Sequence, residues 1–240
     1  MTLEHDHEAH QHEHAGHGHD DHAGHDHAGH GHDDHAGHDH DAGEHDHASH
    51  GHDDHAGHEH VDYPTAVGLF RADKDDYFRQ AHDSPIPHDQ RDHFTGLPYF
   101  PVDEDLRFEG LELEPYEGAE PTSFQIPTSD GQLRDAERAG TFRFELGGAT
   151  QRLTGYRFAA RDSESVFVPF LDGTSGNESY GAGRYLDIDP DEQDGTYVLD
   201  FNLAYHPSCV YDPRFSCPLT PAENRLPVRI EAGERLPTEA

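Results

Sequence analysis

The segment Thr141-Phe142-Arg143-Phe144-Glu145-Leu146-Gly147-Gly148 decides the fold class. Its apolar residues stand at every second position, which puts them on one face of an extended strand. The strand runs straight into Gly-Gly, a pair that tolerates the positive φ angles of a two-residue hairpin turn. The same grammar recurs along the chain. Leu106 and Phe108 alternate, and Leu111 and Leu113 continue one step out of phase across Gly110, as a β-bulge would require. Val166 to Leu171 is continuously apolar, the pattern of a strand buried on both faces. Tyr197, Leu199, Phe201 and Leu203 alternate, and Val228 and Ile230 read as a last short strand. The expected architecture is mainly β, an antiparallel barrel or sandwich of about eight strands. One helix precedes it over Thr65–Gln80, with Val67, Phe70, Tyr77 and Phe78 on an irregular apolar side and Ser84-Pro85-Ile86-Pro87 ending it.

The composition divides the chain of 240 residues at position 60. Residues 1–60 hold 22 of the 26 histidines and 16 of the 50 acids, with no Lys or Arg, so the formal charge of −34 splits into −16 there and −18 beyond. Apolar side chains number 10 in that first segment and 66 after it. The first segment therefore cannot bury enough surface to offset chain entropy and is expected to be a disordered arm, while 61–240 can build one core. Lys74 is the only lysine, and the body has no basic stripe, which argues against electrostatically driven nucleic-acid binding. No apolar run approaches a membrane span, and neither an apolar leader nor a twin-arginine signal is visible, so a cytoplasmic location is expected. An acid-rich, lysine-poor balance in both halves resembles proteins of salt-in halophilic archaea, because at molar salt the Debye length falls to about 3 Å and self-repulsion fades.

The arm is a repeat. Gly16–Ala28 recurs from Gly29 with Asp41 replacing Ala28, and returns with slight variation over Ser49–His60. His-X-His pairs (His25/His27, His38/His40, His58/His60) set two imidazoles on one side of an extended chain, and His-X-X-His steps (His19/His22, His22/His25) can close around one ion. Imidazole suits Zn²⁺, Ni²⁺, Co²⁺ and Cu²⁺, with aspartates as further oxygen ligands. The candidate ligands are His17, His19, His22, His25, His27, His30, His32, His35, His38, His40, His50, His52, His55, His58 and His60. Overlapping quartets are equivalent, so multi-site, exchangeable binding of a divalent transition metal is expected. The competing use of the same residues is pH sensing: full protonation would move the arm from −16 to +6.

In the body, Asp172, Thr174, Glu178, Tyr180 and Arg184 lie in one glycine-rich loop, and Asp200 and Asn202 would share the face opposite the core residues of their strand. Together they are the ingredients of a polar ligand pocket or of acid–base chemistry. The alternative is a buried network in which Arg184 pairs with Asp172 or Glu178 and merely closes the loop. Cys209 and Cys217 leave three readings open: zinc ligands with His206, a disulfide, or two structural thiols.

The run Phe170-Leu171-Asp172-Gly173-Thr174-Ser175-Gly176-Asn177-Glu178-Ser179-Tyr180-Gly181-Ala182-Gly183-Arg184-Tyr185-Leu186 is followed by Asp200-Phe201-Asn202-Leu203-Ala204-Tyr205-His206-Pro207-Ser208-Cys209. After it come Cys217-Pro218, Pro221-Ala222-Glu223-Asn224-Arg225-Leu226 and Ala232-Gly233-Glu234. These motifs, with Phe94-Thr95-Gly96-Leu97-Pro98-Tyr99-Phe100-Pro101, resemble the family catalogued as domain of unknown function 1684, from near Tyr77 to about Arg235. The family pattern more often has Asn at the position of His206, and the resemblance implies no activity.

Overall fold

The computed structural model describes residues 61–159 and 164–237. The arm and its candidate metal-binding histidines lie outside the described residues. Helix α1 (Tyr63–Gln80) opens the body. Asp62 caps it by accepting the Thr65 amide, and Pro64 in the first turn removes an amide that has no helical partner there. Only Val67 and Phe78 on α1 are buried, whereas Phe70 and Tyr77 of the expected apolar side stay exposed.

Seven strands follow among the described residues: β1 (Arg107–Leu111), β2 (Ser123–Pro127), β3 (Leu133–Leu146), β4 (Ala149–Phe158), β5 (Val166–Phe170), β6 (Arg184–Ile188) and β7 (Tyr197–Asp200). They form an antiparallel five-stranded sheet in the order β2-β3-β4-β5-β6 and a two-stranded pair, β1-β7. The sheets are sandwich-like and not a closed barrel. Leu146 pairs with Ala149 across Gly147-Gly148. The φ angles of these two glycines, 66° and 75°, give the expected two-residue hairpin. The bulge at Gly110 is also present: Phe108 pairs with Leu199 but Leu111 with Tyr197. Gly110 itself has a φ of 64°, in the left-handed region.

Phe201 is the aromatic hub between the two sheets. Its ring centroid lies 5.1 Å from that of Phe170, 5.7 Å from that of Phe144 and 6.1 Å from that of Phe108. Such tilted and edge-on contacts suit the charge distribution of aromatic rings. Strand β5 is buried throughout because it has apolar neighbours on both sides. Val166, Val168 and Phe170 join this main core, while Phe167 packs with Tyr156 and Tyr185 in a second cluster. Pro169 cannot donate to a ladder. There the Asn224 side chain takes a strand's place, donating to the carbonyls of Pro169 (2.7 Å) and Thr154 (2.8 Å) and accepting the Thr154 amide (2.8 Å).

Two strand expectations need correcting. The alternation from Tyr197 to Leu203 predicts a strand to its end, yet β7 stops at Asp200, whose carboxylate accepts the Asn202 amide and turns the chain into a 3₁₀ turn over Phe201–Leu203. Val228 and Ile230 form no strand. The Val228 carbonyl accepts the single amide of Gly173 (2.8 Å), and polar side chains satisfy the Ile230 backbone in place of a neighbouring ladder.

Candidate functional site

Asp172, Thr174 and Arg184 converge, and each is buried. Arg184 donates through Nη2 to Asp172 Oδ1 (3.3 Å), Thr174 Oγ1 (3.4 Å) and the Ile230 carbonyl (2.8 Å). Its Nη1 serves the carbonyls of Ala232 and Glu234. Asp172 Oδ2 accepts the amides of Ile230 (2.7 Å) and Thr174 (3.1 Å). One ion pair thus satisfies the Ile230 amide and the carbonyls of Ile230, Ala232 and Glu234 much as an adjacent strand would, which is the geometry of a network that closes a loop. Burial pulls the guanidinium down from its usual range while Asp172 opposes the shift.

Glu178 stands apart on the surface, paired with Arg229. Tyr180 contributes its amide, which donates to His206 Nε2 at 3.2 Å. Asp200 and Asn202 form a second network. The Asn202 side chain accepts the Asp103 amide (2.8 Å) and donates to its carbonyl (2.7 Å), and Tyr63 and Arg107 close on Asp200. The loop residues and the Asp200–Asn202 pair are therefore two separate clusters, each with its own partners.

A third group, whose members the sequence pattern does not bring together, lies between helix and loop. Glu234 is 1% exposed; its Oε1 meets Lys74 Nζ at 2.6 Å, and its Oε2 accepts the His206 amide (2.7 Å) and the Tyr211 hydroxyl (3.0 Å). Gly233 makes the approach possible. Its φ is 75°, and a Cβ there would fall 2.6 Å from the Ala204 carbonyl oxygen, so both the backbone angle and the space call for glycine. Burial lowers the His206 imidazole to about 4, although Glu234 pulls the other way, so the ring is neutral at pH 7. The signal was present in the composition. A chain with 16 basic residues and a single lysine places that lysine on a buried carboxylate.

Lys74 and His206 border a cleft of about 740 Å³ between α1 and the β6–β7 side of the body. Phe70, Tyr77, Phe78, Leu186, Ile188 and Phe215 form its apolar walls, and of the residues expected to make a polar pocket it takes in Asp200 alone. Cys209 and Cys217 are free thiols, with the Cys209 amide donating to Cys217 Sγ at 3.3 Å. Burial pushes the Cys217 thiol up to about 11. Among the described residues, no three His, Cys, Asp or Glu side chains are grouped so as to hold a metal ion, and no helix is long and apolar enough to cross a membrane.

A solved structure of an uncharacterized protein from Haloarcula marismortui, determined in solution by NMR, is similar at 42% identity. The match covers 72% of this chain and 93% of that one, with a TM-score of 0.55. No curated protein matches the chain. The model of the family described as protein of unknown function (DUF1684) matches residues 92–235, starting beyond α1 where the motifs imply a start near Tyr77, and the chain belongs to that family.

Proposed function

We propose that the protein binds and buffers divalent transition metals through the His-rich arm, residues 5–60, carried on the β-rich DUF1684 body. The carrying observation is the spacing: 22 imidazoles before Val61, arranged as repeated His-X-His and His-X-X-His steps with aspartates between them. Imidazole and carboxylate without thiolate fit Zn²⁺, Ni²⁺, Co²⁺ and Cu²⁺. Equivalent overlapping quartets favour several exchangeable ions over one fixed centre, and binding releases protons from any protonated imidazole.

Equilibrium dialysis of the intact chain against zinc at pH 7.5 tests the reading, with residues 61–240 alone as the comparison. More than one ion per intact chain, lost on truncation, is the expected result. Fewer than one ion per intact chain sinks the proposal. Proton-driven sensing by the same arm is separable, because it requires the arm's dimensions to change between pH 8 and 5 without any metal. The composition further supports a protein adapted to concentrated salt in the cytoplasm.

The second reading, a small-ligand binder or enzyme, shifts within the body. The buried carboxylate–guanidinium pair of Asp172 and Arg184 is committed to backbone carbonyls and amides. The cleft beside Lys74 and Asp200 is the feature that favours this reading.

A further inference from the structure

Independently of the arm, we infer that the cleft beside α1 is a binding site for a small organic cation, an aryl- or alkyl-ammonium with an apolar body. Its volume of about 740 Å³ suits a drug-sized molecule. Of the seven large apolar residues left exposed among the described residues, three border this one cleft: Phe70 at 44%, Tyr77 at 43% and Phe215 at 36%. Gathering exposed aromatic area at one place, on so acidic a body, is the mark of a surface that something apolar covers.

The charges select the sign of that molecule. Among the described residues on the lining, Lys74 is the only permanently cationic side chain, and its charge is answered by Glu234 at 2.6 Å. His206 is neutral at pH 7 because it is buried. The carboxylates on the lining are Asp73, Asp83, Asp187 and Asp200. Asp187 accepts the Tyr205 hydroxyl and Asp200 is met by Tyr63 and by Arg107 at 3.6 Å, whereas Asp73 and Asp83 are exposed at the rim. An anion would be repelled by the two rim carboxylates, Asp73 and Asp83, and a neutral molecule would gain only the apolar walls. A cation gains both the walls and the carboxylates. The cleft already has a worked example of such contacts: Lys74 Nζ lies 4.7 Å from the Tyr205 ring centroid and 5.7 Å from that of Phe78, within the range of a cation–π attraction.

Three probes of one shape test the inference on the full chain in 0.1 M potassium chloride, where a Debye length of about 10 Å leaves the rim carboxylates effective: 4-phenylbutylammonium, 4-phenylbutanol and 4-phenylbutyrate, followed by backbone amide NMR shifts. The ammonium is expected to bind about tenfold more tightly than the carboxylate, with the alcohol between them. The shifts should concentrate on α1, β6 and the Phe215 loop. Asp73→Asn with Asp83→Asn, both at exposed positions, should weaken the ammonium about threefold and leave the alcohol unchanged. Phe70→Ala should weaken all three probes. Carboxylate binding as tight as that of the ammonium, or shifts scattered over the acidic surface, overturns the inference, as does ammonium binding indifferent to the double substitution.

Discussion

Tyr63 Oη lies 2.8 Å from each carboxylate oxygen of Asp200, so its one proton is shared between the two. The contact spans 137 positions and fastens the first turn of α1 to the end of β7. Arg71, two turns further on, reaches the carbonyls of Phe100 and Asn202, so the helix is pinned by polar side chains more than by its sparsely buried apolar face. Burial and the facing carboxylate both raise the Tyr63 phenol above its ordinary range, which keeps it a donor.

Tyr63→Phe removes that donor and little volume. Asp200 keeps the amide and side-chain nitrogens of Asn202 as donors. The expected cost in urea denaturation is therefore that of one hydrogen bond to a charged group, about 1.5 kcal/mol. Amide hydrogen exchange in α1 should quicken more than in β3–β4. An unchanged denaturation midpoint would show that Tyr63 does not fasten the helix.

Arg184 is the largest fully buried side chain among the described residues, and its donors go to three carbonyls, a hydroxyl and a carboxylate. Arg184→Met leaves Asp172 buried without its cation and the carbonyls of Ile230, Ala232 and Glu234 without their donor, for an expected loss of about 3–5 kcal/mol. Lysine presents three donors on one atom and cannot reproduce the fork, so Arg184→Lys should recover less than half of that loss. Equal stability of wild type and Arg184→Met would mean that the pair does not hold the segment.

These residues show what the sequence could and could not reveal. The hairpin at Gly147-Gly148, the bulge at Gly110 and the doubly buried β5 were legible because period and glycine placement are local signals. Val228–Ile230 misled because alternation reports burial and not the identity of the hydrogen-bond partner; the Gly173 amide serves Val228, and the side chains of Asp172 and Arg184 serve Ile230, all from distant positions in the chain. Of the polar loop residues, Asp172, Thr174 and Arg184 come together while Glu178 and Tyr180 go elsewhere, and nothing local says whether a carboxylate faces a cavity or a backbone amide. The Lys74–Glu234 pair joins the first helix to the last described segment and has no local signature beyond the rarity of lysine.

His206 gives a pH signature with a definite sign. Its folded value, about 4, lies below the ordinary 6.5, so between these values the unfolded chain binds a proton that the folded chain refuses. Stability from this group is therefore complete above about pH 6.5 and declines as the pH falls toward 4, by on the order of 3 kcal/mol over the window. His206→Asn keeps a carbonyl acceptor for the Tyr180 amide and removes the titration. The difference in unfolding free energy between wild type and variant, followed from pH 7.5 to 4.5, should grow in the variant's favour. A pH-independent difference would mean that the imidazole is not buried neutral.

Salt should act on the body as a stabiliser through screening. Residues 61–240 carry a formal −18, so even with each of their 16 basic side chains matched to an acid, many carboxylates face one another through solvent. The Debye length is about 10 Å at 0.1 M and about 3 Å at 1 M, so repulsion between neighbouring carboxylates is largely removed over that range. If the relief amounts to about 3 kcal/mol, the midpoint of thermal unfolding rises by roughly 6–12 °C for a domain of this size. Potassium chloride also strengthens apolar burial, and sucrose, excluded from protein surfaces without screening charge, isolates that contribution. A sucrose solution of matched water activity should therefore recover only a minor part of the shift. Equal shifts in the two solutes would assign the effect to exclusion and remove charge repulsion as its cause.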